Sequence, residues 1–413
     1  MGESYWSSTL RRCKKLKRDV VVDDDKQRDI VLLPCPAKGM TRNWSQLPQE
    51  LIGEIAKRII YINDFYTFGS VCQSWRYITK HKYYYSGVRE LPWLMLSETS
   101  EDNNVRSFFS LSTNKVFSFQ LPEAKGRQCF GSPLGWVTTL GLDHKIHLLN
   151  PLTRIQIQLP SLDTFQDPLL QCGRGDFYLC QLFIKKFIFA STQNNNSGGL
   201  IVFAIYSNTR KLAMARPGDE AWTTLGDHHG ISDAIYYEGQ IYAITTAAIL
   251  RIYDISSSKV TDFMPPPQRI NLFQRSLYLV EIGEFLHLVT RQLVYSTNPS
   301  VVRHPYATLS FEVYLCNPHA KRWVRLYSSY GFDKFSLFVG ANSSFALSVS
   351  DYPELKGNCI YFTDDTFLHY QYGCGRHNMG VFDFKEWTIQ PFYSGPGTVS
   401  QFSPPVWFMP NPW

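Results

Sequence analysis

The sequence predicts a mainly β protein, an irregular β-propeller of about six blades preceded by a small all-α module. Aromatic residues make up 15% and charged residues only 18% of the 413 residues, a composition typical of a β-rich globular protein with a large core. Helical periodicity is confined to the segment before residue 80, whereas short apolar runs separated by turn residues continue from about residue 90 to the end. In that long segment, one strand–turn–strand pattern recurs six times.

Two helical patterns follow one another in the N-terminal module. The first begins at Pro48, which suits the first turn of a helix because its φ is preset and its missing N–H would have no partner there. Its apolar side chains recur every fourth residue, at Leu51, Ile55 and Ile59. We predict that Asn63 and Asp64 interrupt the pattern, and that a second helix continues to Ile78.

A helical pair of this size cannot bury all of its own apolar side chains, so another surface must cover them. Two interpretations follow from the pattern alone. The pair is either an N-terminal subdomain packed on the rest of the chain, or a docking module for a second protein.

The residues from Leu47 to Arg76 resemble an F-box. The family pattern is Leu-Pro, an acidic residue before leucine, an Ile/Leu stripe, and Val-Cys-x-x-Trp-Arg. The matching residues are Leu47, Pro48, Glu50, Leu51, Ile55, Ile59, Val71, Cys72, Trp75 and Arg76. Gly53 and Gly69 are departures that lower the expected stability of the helices, since glycine inside a helix costs about 1 kcal/mol relative to alanine.

The resemblance implies that the module binds a Skp-type adaptor and, through it, a cullin. The candidate adaptor-binding residues are Leu47, Pro48, Leu51, Ile55, Ile59, Val71, Cys72 and Trp75. Some of these side chains must hold the helices together, and the sequence does not separate the two roles.

The turn residues of the six repeats are Asn114, Asn150, Asn208, Asp254, Asn317 and Asp383. Their mean spacing of about 54 residues is slightly longer than the roughly 40 to 50 residues of common propeller blades. A second pattern, a hairpin of polar residues and glycine followed by an apolar strand, occurs at residues 237–242, 282–286 and 356–361. Six repeats of two hairpins suit a propeller. The alternative is a large irregular β-sandwich or a pair of barrels.

Several segments of this region resemble plant F-box proteins that share a KIB-type β-propeller. They are residues 92–96, 131–136, 148–154, 339–345 and 358–365. The resemblance implies a plant-type source, an F-box module at 41–82 and a substrate-recognition propeller at 90–413. Runs of basic and then acidic residues predict a tail at 1–40.

The tail and the composition give expectations about location. We predict that residues 1–40 are solvated and poorly ordered. The basic run Arg11–Arg18 is either an import signal or a chance cluster. A net charge of +6 does not by itself imply a nucleic-acid ligand, and we predict none. The nine scattered cysteines, and the lack of a secretory signal or bilayer-length apolar run, predict a cytoplasmic or nuclear protein with no membrane contact.

No catalytic, cofactor or metal site is predicted. Gly-x-Ser-x-Gly, phosphate-loop and dinucleotide motifs are absent from the sequence. The segment 374–377 with Cys359 lacks the second close pair of a zinc site, and residues 227–229 suit a solvated turn. Asp364 and Asp365 are adjacent carboxylates in a predicted loop, and nothing assigns one as acid and the other as base.

The sequence therefore predicts a non-catalytic substrate-recognition subunit of an SCF-type (Skp–cullin–F-box) ubiquitin ligase, with an unidentified target protein. Two alternatives remain. One is an F-box scaffold that acts without ubiquitination. The other is a propeller enzyme with an incidental helical appendage, for which polar residues and perturbed carboxylates in a central channel would be the sign.

Overall fold

The structure, a computed structural model, describes residues 44–60, 62–79, 81, 90–98, 104–171, 175–192, 199–255, 259–295, 306–327, 332–365, 378–393 and 403–411. The chain divides into two compact units, residues 1–47 and 48–413. In the first unit, the 3₁₀ helix Trp44–Gln46 is described. The tail predicted at 1–40 lies outside the described residues.

Three short helices, rather than the two predicted, form the part of the helical module that lies in the second unit. They are α1 (Gln49–Ala56), α2 (Ile62–Gly69) and α3 (Gln73–Thr79). The chain leaves α2 at Ser70, whose hydroxyl donates a 2.6 Å hydrogen bond back to the carbonyl of Thr67. The second helix predicted to continue to Ile78 is therefore divided into two, α2 and α3, at Ser70–Cys72.

Two details of the module depend on residues distant in sequence. Asp64 lies in the first turn of α2 rather than in a break, and the Ile62 N–H at that helix start donates to Glu90 Oε1 over 3.0 Å. A carboxylate is favourable there because helix N-termini carry unpaired N–H groups and partial positive charge.

Gly69 faces Thr79 so closely that a Cβ would collide with it. The glycine lets α2 and α3 approach each other.

The described strands form six sheets, arranged as the blades of a propeller, and each blade is given from its innermost strand outward. Blade 1 contains Val406–Phe408, Trp93–Met95, Val105–Ser110 and Lys115–Gln120; blade 2 contains Arg127–Gly131, Val137–Gly141, Ile146–Leu149 and Gln156–Leu159. Blade 3 contains Ile184–Thr192, Gly199–Tyr206, Lys211–Ala215 and Thr223–Thr224; blade 4 contains Ile231–Tyr237, Gln240–Thr245, Leu250–Tyr253 and Val260–Met264. Blade 5 contains Arg275–Ile282, Phe285–Tyr295, Tyr306–Asn317 and Arg322–Arg325; blade 6 contains Phe345–Ser348, Phe335–Val339, Cys359–Phe362, Gly380–Asp383 and Thr388–Gln390.

Short helices connect some strands: α4 (Asp176–Leu182) and the 3₁₀ turns Pro122–Ala124, Leu162–Thr164 and Pro168–Gln171. None of the described helices is long and apolar enough to cross a bilayer.

The C-terminal strand closes the ring. Leu94 in blade 1 pairs with Trp407, so one blade combines strands from both ends of the propeller. Next to this seam, the Ser343 N–H from blade 6 donates to the carbonyl of Gly131 in blade 2 over 3.1 Å. A Cβ on Gly131 would collide with the Trp407 carbonyl. Closure therefore needs glycine at that position.

The predicted six-bladed propeller is confirmed, and the sandwich and barrel alternatives are wrong. Five of the six predicted turn residues lie in the hairpin between the last two strands of a blade. Asn208 is the exception, because it joins the second and third strands of blade 3. The sixth blade also differs, since Phe345–Ser348 is added at its edge and Phe335–Val339 pairs in parallel with Cys359–Phe362.

Apolar side chains fill the spaces between blades and between the module and the propeller. Phe130 in blade 2 meets Phe187 in blade 3 edge to face, with centroids 5.1 Å apart. Ile62 of α2 belongs to the same buried cluster as Trp93 and Phe108 of blade 1. The first blade therefore provides the surface that covers part of the helical module.

Candidate adaptor-binding surface

The helical module has two distinct sets of apolar side chains. One set is buried within the module and against the propeller: Ile52, Ala56, Ile62, Phe65 and Ile78. The other set is exposed: Leu51, Ile55, Ile60, Val71 and Tyr77. The exposed set contains three residues of the F-box pattern, Leu51, Ile55 and Val71, and it is therefore the candidate docking surface.

Three of the eight predicted adaptor residues belong to the exposed set. Leu51, Ile55 and Val71 are 52%, 42% and 59% exposed. Pro48 is also exposed, and Ile59, Cys72 and Trp75 are half-buried. Leu47, in the other unit, is half-buried as well. None of the eight belongs to the fully buried core, and their role in binding stays a prediction.

Trp75 has a structural role in addition. Its ring stacks on Phe68, with centroids 4.3 Å apart and planes 29° apart, and so joins α3 to α2. Offset stacking of this kind adds about 0.5–1.5 kcal/mol beyond area burial. Substitution of Trp75 would therefore disturb the helices as well as any bound partner.

Helix geometry explains how adjacent residues are assigned to the two sets. Leu51 and Ile55 are one turn apart on α1, and so are Ile52 and Ala56. The two pairs are rotated by about 100° from each other, which is enough to place one pair outward and the other inward. The sequence misses Ile60 and Tyr77 as exposed residues because neither belongs to the family pattern.

A buried polar network lies at the innermost strands, where the enzyme alternative would place its site. Lys186 of blade 3 forms a 2.7 Å ion pair with Asp233 of blade 4, and it also donates to Ser344 of blade 6 over 3.1 Å. Asp233 accepts backbone N–H groups from Ala234 and, in blade 5, from Leu279, both over 2.9 Å. Burial raises the pKa of the Asp233 carboxyl, while Lys186 and these N–H groups oppose the shift. The network joins four blades.

A second network connects blades 5 and 6. Arg291 donates to the Thr363 carbonyl over 2.8 Å and forms a 3.3 Å ion pair with Asp365. Asp365 also accepts the Tyr278 hydroxyl over 2.8 Å, and Asp364 accepts the Tyr306 hydroxyl over 2.6 Å. Both carboxylates lie in a loop, as predicted; Asp364 is fully buried, and the side chain of Asp365 is 14% exposed.

The partners of these carboxylates account for their burial without any catalytic role. Charged groups in the interior need paired and hydrogen-bonded surroundings, and the carboxylates have them. The adjacent cavity, lined by Lys186, Tyr278 and Asp365, has a volume of about 120 Å³. That volume is below the roughly 300 Å³ of typical ligand pockets.

Within the described residues, no group of three or more His, Cys, Asp or Glu side chains could hold a metal ion. The segment 374–377 lies outside them. Cys359 is buried, and burial raises the pKa of its thiol to about 11, so it is a poor ligand and nucleophile. Residues 227–229 are exposed in a bend, as predicted for a solvated turn.

Comparison with known proteins decides the family. A model described as the KIB1-4 beta-propeller matches residues 108–383, about two thirds of the chain. The chain belongs to the KIB1-4 β-propeller family. F-box protein SKIP23 of Arabidopsis thaliana is 25% identical over 394 residues, which cover 88% of this chain and 94% of that protein. F-box protein KIB4 of the same plant is 24% identical over 266 residues, 59% of this chain and 62% of that protein.

These relatives confirm the predicted resemblance to plant F-box proteins with a KIB-type propeller. The family model covers most of the propeller, from residue 108 to residue 383, and the alignment with SKIP23 covers most of the chain. The chain is thus similar over most of its length to a plant F-box protein.

Proposed function

We propose that this protein is the substrate-recognition subunit of an SCF-type ubiquitin ligase. Its helical module binds a Skp-type adaptor, the adaptor binds a cullin, and the propeller recruits a target protein. The cytoplasm, the nucleus or both are the proposed sites of action.

The division of the module into a buried and an exposed apolar set supports this proposal best. Ile62 of the buried set packs with side chains of the first blade and so attaches the module to the propeller. The exposed set, including Leu51 and Ile55, remains available to a partner. A receptor needs both properties, because the target must be held at a defined distance from the ubiquitin-charged enzyme.

The proposed mechanism is proximity. Binding adaptor and target to one rigid chain makes the encounter of a target lysine with the charged enzyme effectively intramolecular, which raises its local concentration. No bond is made or broken by this chain. Asp233 and Asp365 near the innermost strands are paired with Lys186 and Arg291, which supports a structural role for these carboxylates.

Co-purification with a plant Skp-type adaptor tests the proposal. The wild type should capture the adaptor, and Leu51→Asp should not, because a charge would be buried in the apolar contact. Ile155→Asp is the matched control, since Ile155 is 55% exposed on blade 2. Loss of capture by both variants, or by neither, would contradict the assignment of the surface.

Turnover separates the ligase from the scaffold alternative. A ligase receptor should have at least one bound protein whose degradation requires the cullin and is slowed by Leu51→Asp. If the adaptor is captured but no bound protein shows such turnover, the protein acts as an F-box scaffold.

A further inference from the structure

A cleft of about 700 Å³ lies between blades 4 and 5, on the face that carries the first-to-second-strand hairpins. Its aromatic wall is a series of edge-to-face rings. Tyr237 meets Tyr242 with centroids 5.5 Å apart, and Tyr242 meets Phe263 at 6.0 Å. The Tyr237 hydroxyl also donates to the Glu284 carbonyl over 2.7 Å, which links the two blades across the cleft. Phe285 lines the same cleft and is 59% exposed.

Three glutamates line this cleft: Glu238, Glu281 and Glu284. All three are exposed, and none is in an ion pair within the described part of the chain. His319 is the one basic side chain in the lining. The cleft is therefore locally acidic, although the whole chain has a formal net charge of +6.

The negative field extends to neighbouring groups. Burial, followed by the charge of Glu238, raises the pKa of Glu281 and raises that of Tyr237 to about 12. The same two causes raise the pKa of the Cys316 thiol to about 11. A positive group placed among these side chains would relieve their mutual repulsion.

The arrangement favours an organic cation over a metal ion. The glutamates and His319 do not form a group that could ligate one ion. They are distributed around an aromatic wall, and aromatic faces attract ammonium and guanidinium groups. Lys321, in the adjacent turn, illustrates this contact, with its Nζ 5.7 Å from the Phe263 ring centre. A long basic side chain can pack its methylene groups on the rings and place its charge near the carboxylates.

We propose that this cleft is the target-docking site and that it binds a segment of the target carrying a lysine or arginine next to an apolar residue. The volume exceeds that of one side chain and lies within the roughly 300–1,000 Å³ of small ligand sites. Phe285 provides an apolar contact for the neighbouring residue. The biological meaning of the site depends on the receptor role proposed above, but binding itself can be measured independently.

The test is selection of a phage-displayed library of random nine-residue peptides on the purified full-length chain, followed by titration of synthetic versions of the selected peptides. The cleft variant combines Glu238→Asn, Glu281→Gln and Glu284→Gln. Asn suits position 238 because Glu238 has φ +48°, a left-handed conformation that Asn adopts readily, so the hairpin is retained.

The control variant removes the same charge elsewhere, by Glu220→Gln, Asp227→Asn and Glu386→Gln. All three residues are exposed and none lines the cleft. The wild type should select peptides with lysine or arginine beside an apolar residue. The cleft variant should bind them roughly tenfold or more weakly, while the control should stay within about twofold, and added salt should weaken binding.

Selection of acidic or uncharged peptides, no selection at all, or equal binding by the cleft variant would each overturn the proposal. Adaptor capture, measured on the same preparations, keeps the two proposals distinguishable. If the chain binds the peptides but no adaptor, the cleft proposal stands and the receptor proposal is wrong. If it binds the adaptor but not the peptides, only the cleft proposal is wrong.

Discussion

Breaking the ion pair between Lys186 and Asp233 should destabilise the propeller strongly. The Asp233→Asn substitution keeps the shape of the side chain and an acceptor oxygen, but it removes the negative charge. The Lys186 and Asp233 side chains are only 7% and 1% exposed, so the lysine would be left charged in the interior or forced to lose its proton. Removing one partner of a buried pair costs about 3–5 kcal/mol.

The structure offers a matched control for this experiment. Arg251 and Asp262 form an ion pair of 2.6 Å, close to the 2.7 Å of the buried pair, but Asp262 is 61% exposed. An exposed pair contributes about 0–1 kcal/mol. Asp262→Asn is therefore the same chemical change at nearly the same distance, with burial as the main difference.

Thermal unfolding followed by circular dichroism is the assay. For a domain of this size, 3–5 kcal/mol corresponds to a decrease in Tm of roughly 5 °C or more, and the control should shift by about 1 °C or less. Equal shifts in the two variants would refute the argument that burial makes the inner pair important. An unchanged Tm for Asp233→Asn would also refute it, and would indicate that the Asp233 carboxylate has a role other than stabilising the propeller.

Two further predictions concern pH and ring closure. Burial lowers the pKa of His287 to about 4, so between about pH 6.5 and pH 4 the unfolded chain binds a proton that the folded chain does not. Between pH 7 and pH 4.5, urea denaturation should show the wild type losing about 2–3 kcal/mol more stability than His287→Gln, and an equal loss would contradict the assignment. Gly131→Ala should cost about 1–3 kcal/mol or more in the same assay, because its Cβ would collide with the Trp407 carbonyl. Gly175→Ala, whose Cβ would lie in open space at a helix N-cap, should cost no more than about 1 kcal/mol, and an equal loss in both would contradict the steric account.

Blade number was predictable from the sequence because each blade contains at least one local strand–turn–strand unit with characteristic turn residues. The position of a hairpin within its blade was not. Asn208 has the same local pattern as Asn150, yet it joins the second and third strands rather than the third and fourth. Pairing with a neighbouring strand decides that difference, and turn chemistry does not encode it.

The sequence could not show which apolar residues of the module are buried and which are exposed, because tertiary packing decides this. Leu51 and Ile52 are neighbours of similar hydrophobicity, and the packing of α1 against α3 within the module determines which one is covered. The family pattern indicated the exposed residues Leu51, Ile55 and Val71. It could not indicate Ile60 or Tyr77, which extend the same exposed set outside the pattern.

Long-range polar contacts could not be predicted from the sequence either, because the partners are distant in the chain and lie in different blades. Lys186 interrupts an apolar run in the sequence, and its partner Asp233 is 47 residues away in the next blade. A lysine inside an otherwise apolar strand was the available signal. For the cleft, the signal was a glutamate beside glycine in the hairpins of two successive repeats, at Glu238 and Glu284.

The affinity of the full-length chain for a Skp-type adaptor tests the central claim most directly. Leu51, Ile55 and Val71 each leave about half of the side chain exposed. Since complete burial of such a side chain contributes about 1.5–3 kcal/mol, covering the exposed half contributes about 1 kcal/mol per residue. The triple substitution to alanine should therefore weaken binding by about 3 kcal/mol, or roughly a hundredfold in Kd.

The control is the triple substitution of Val116, Leu142 and Ile155 to alanine, three propeller side chains with comparable exposure. We expect wild-type affinity from the control and a hundredfold loss from the module variant, with both folded. A module variant that binds the adaptor as tightly as the wild type would contradict the claim that these side chains form the adaptor-binding surface.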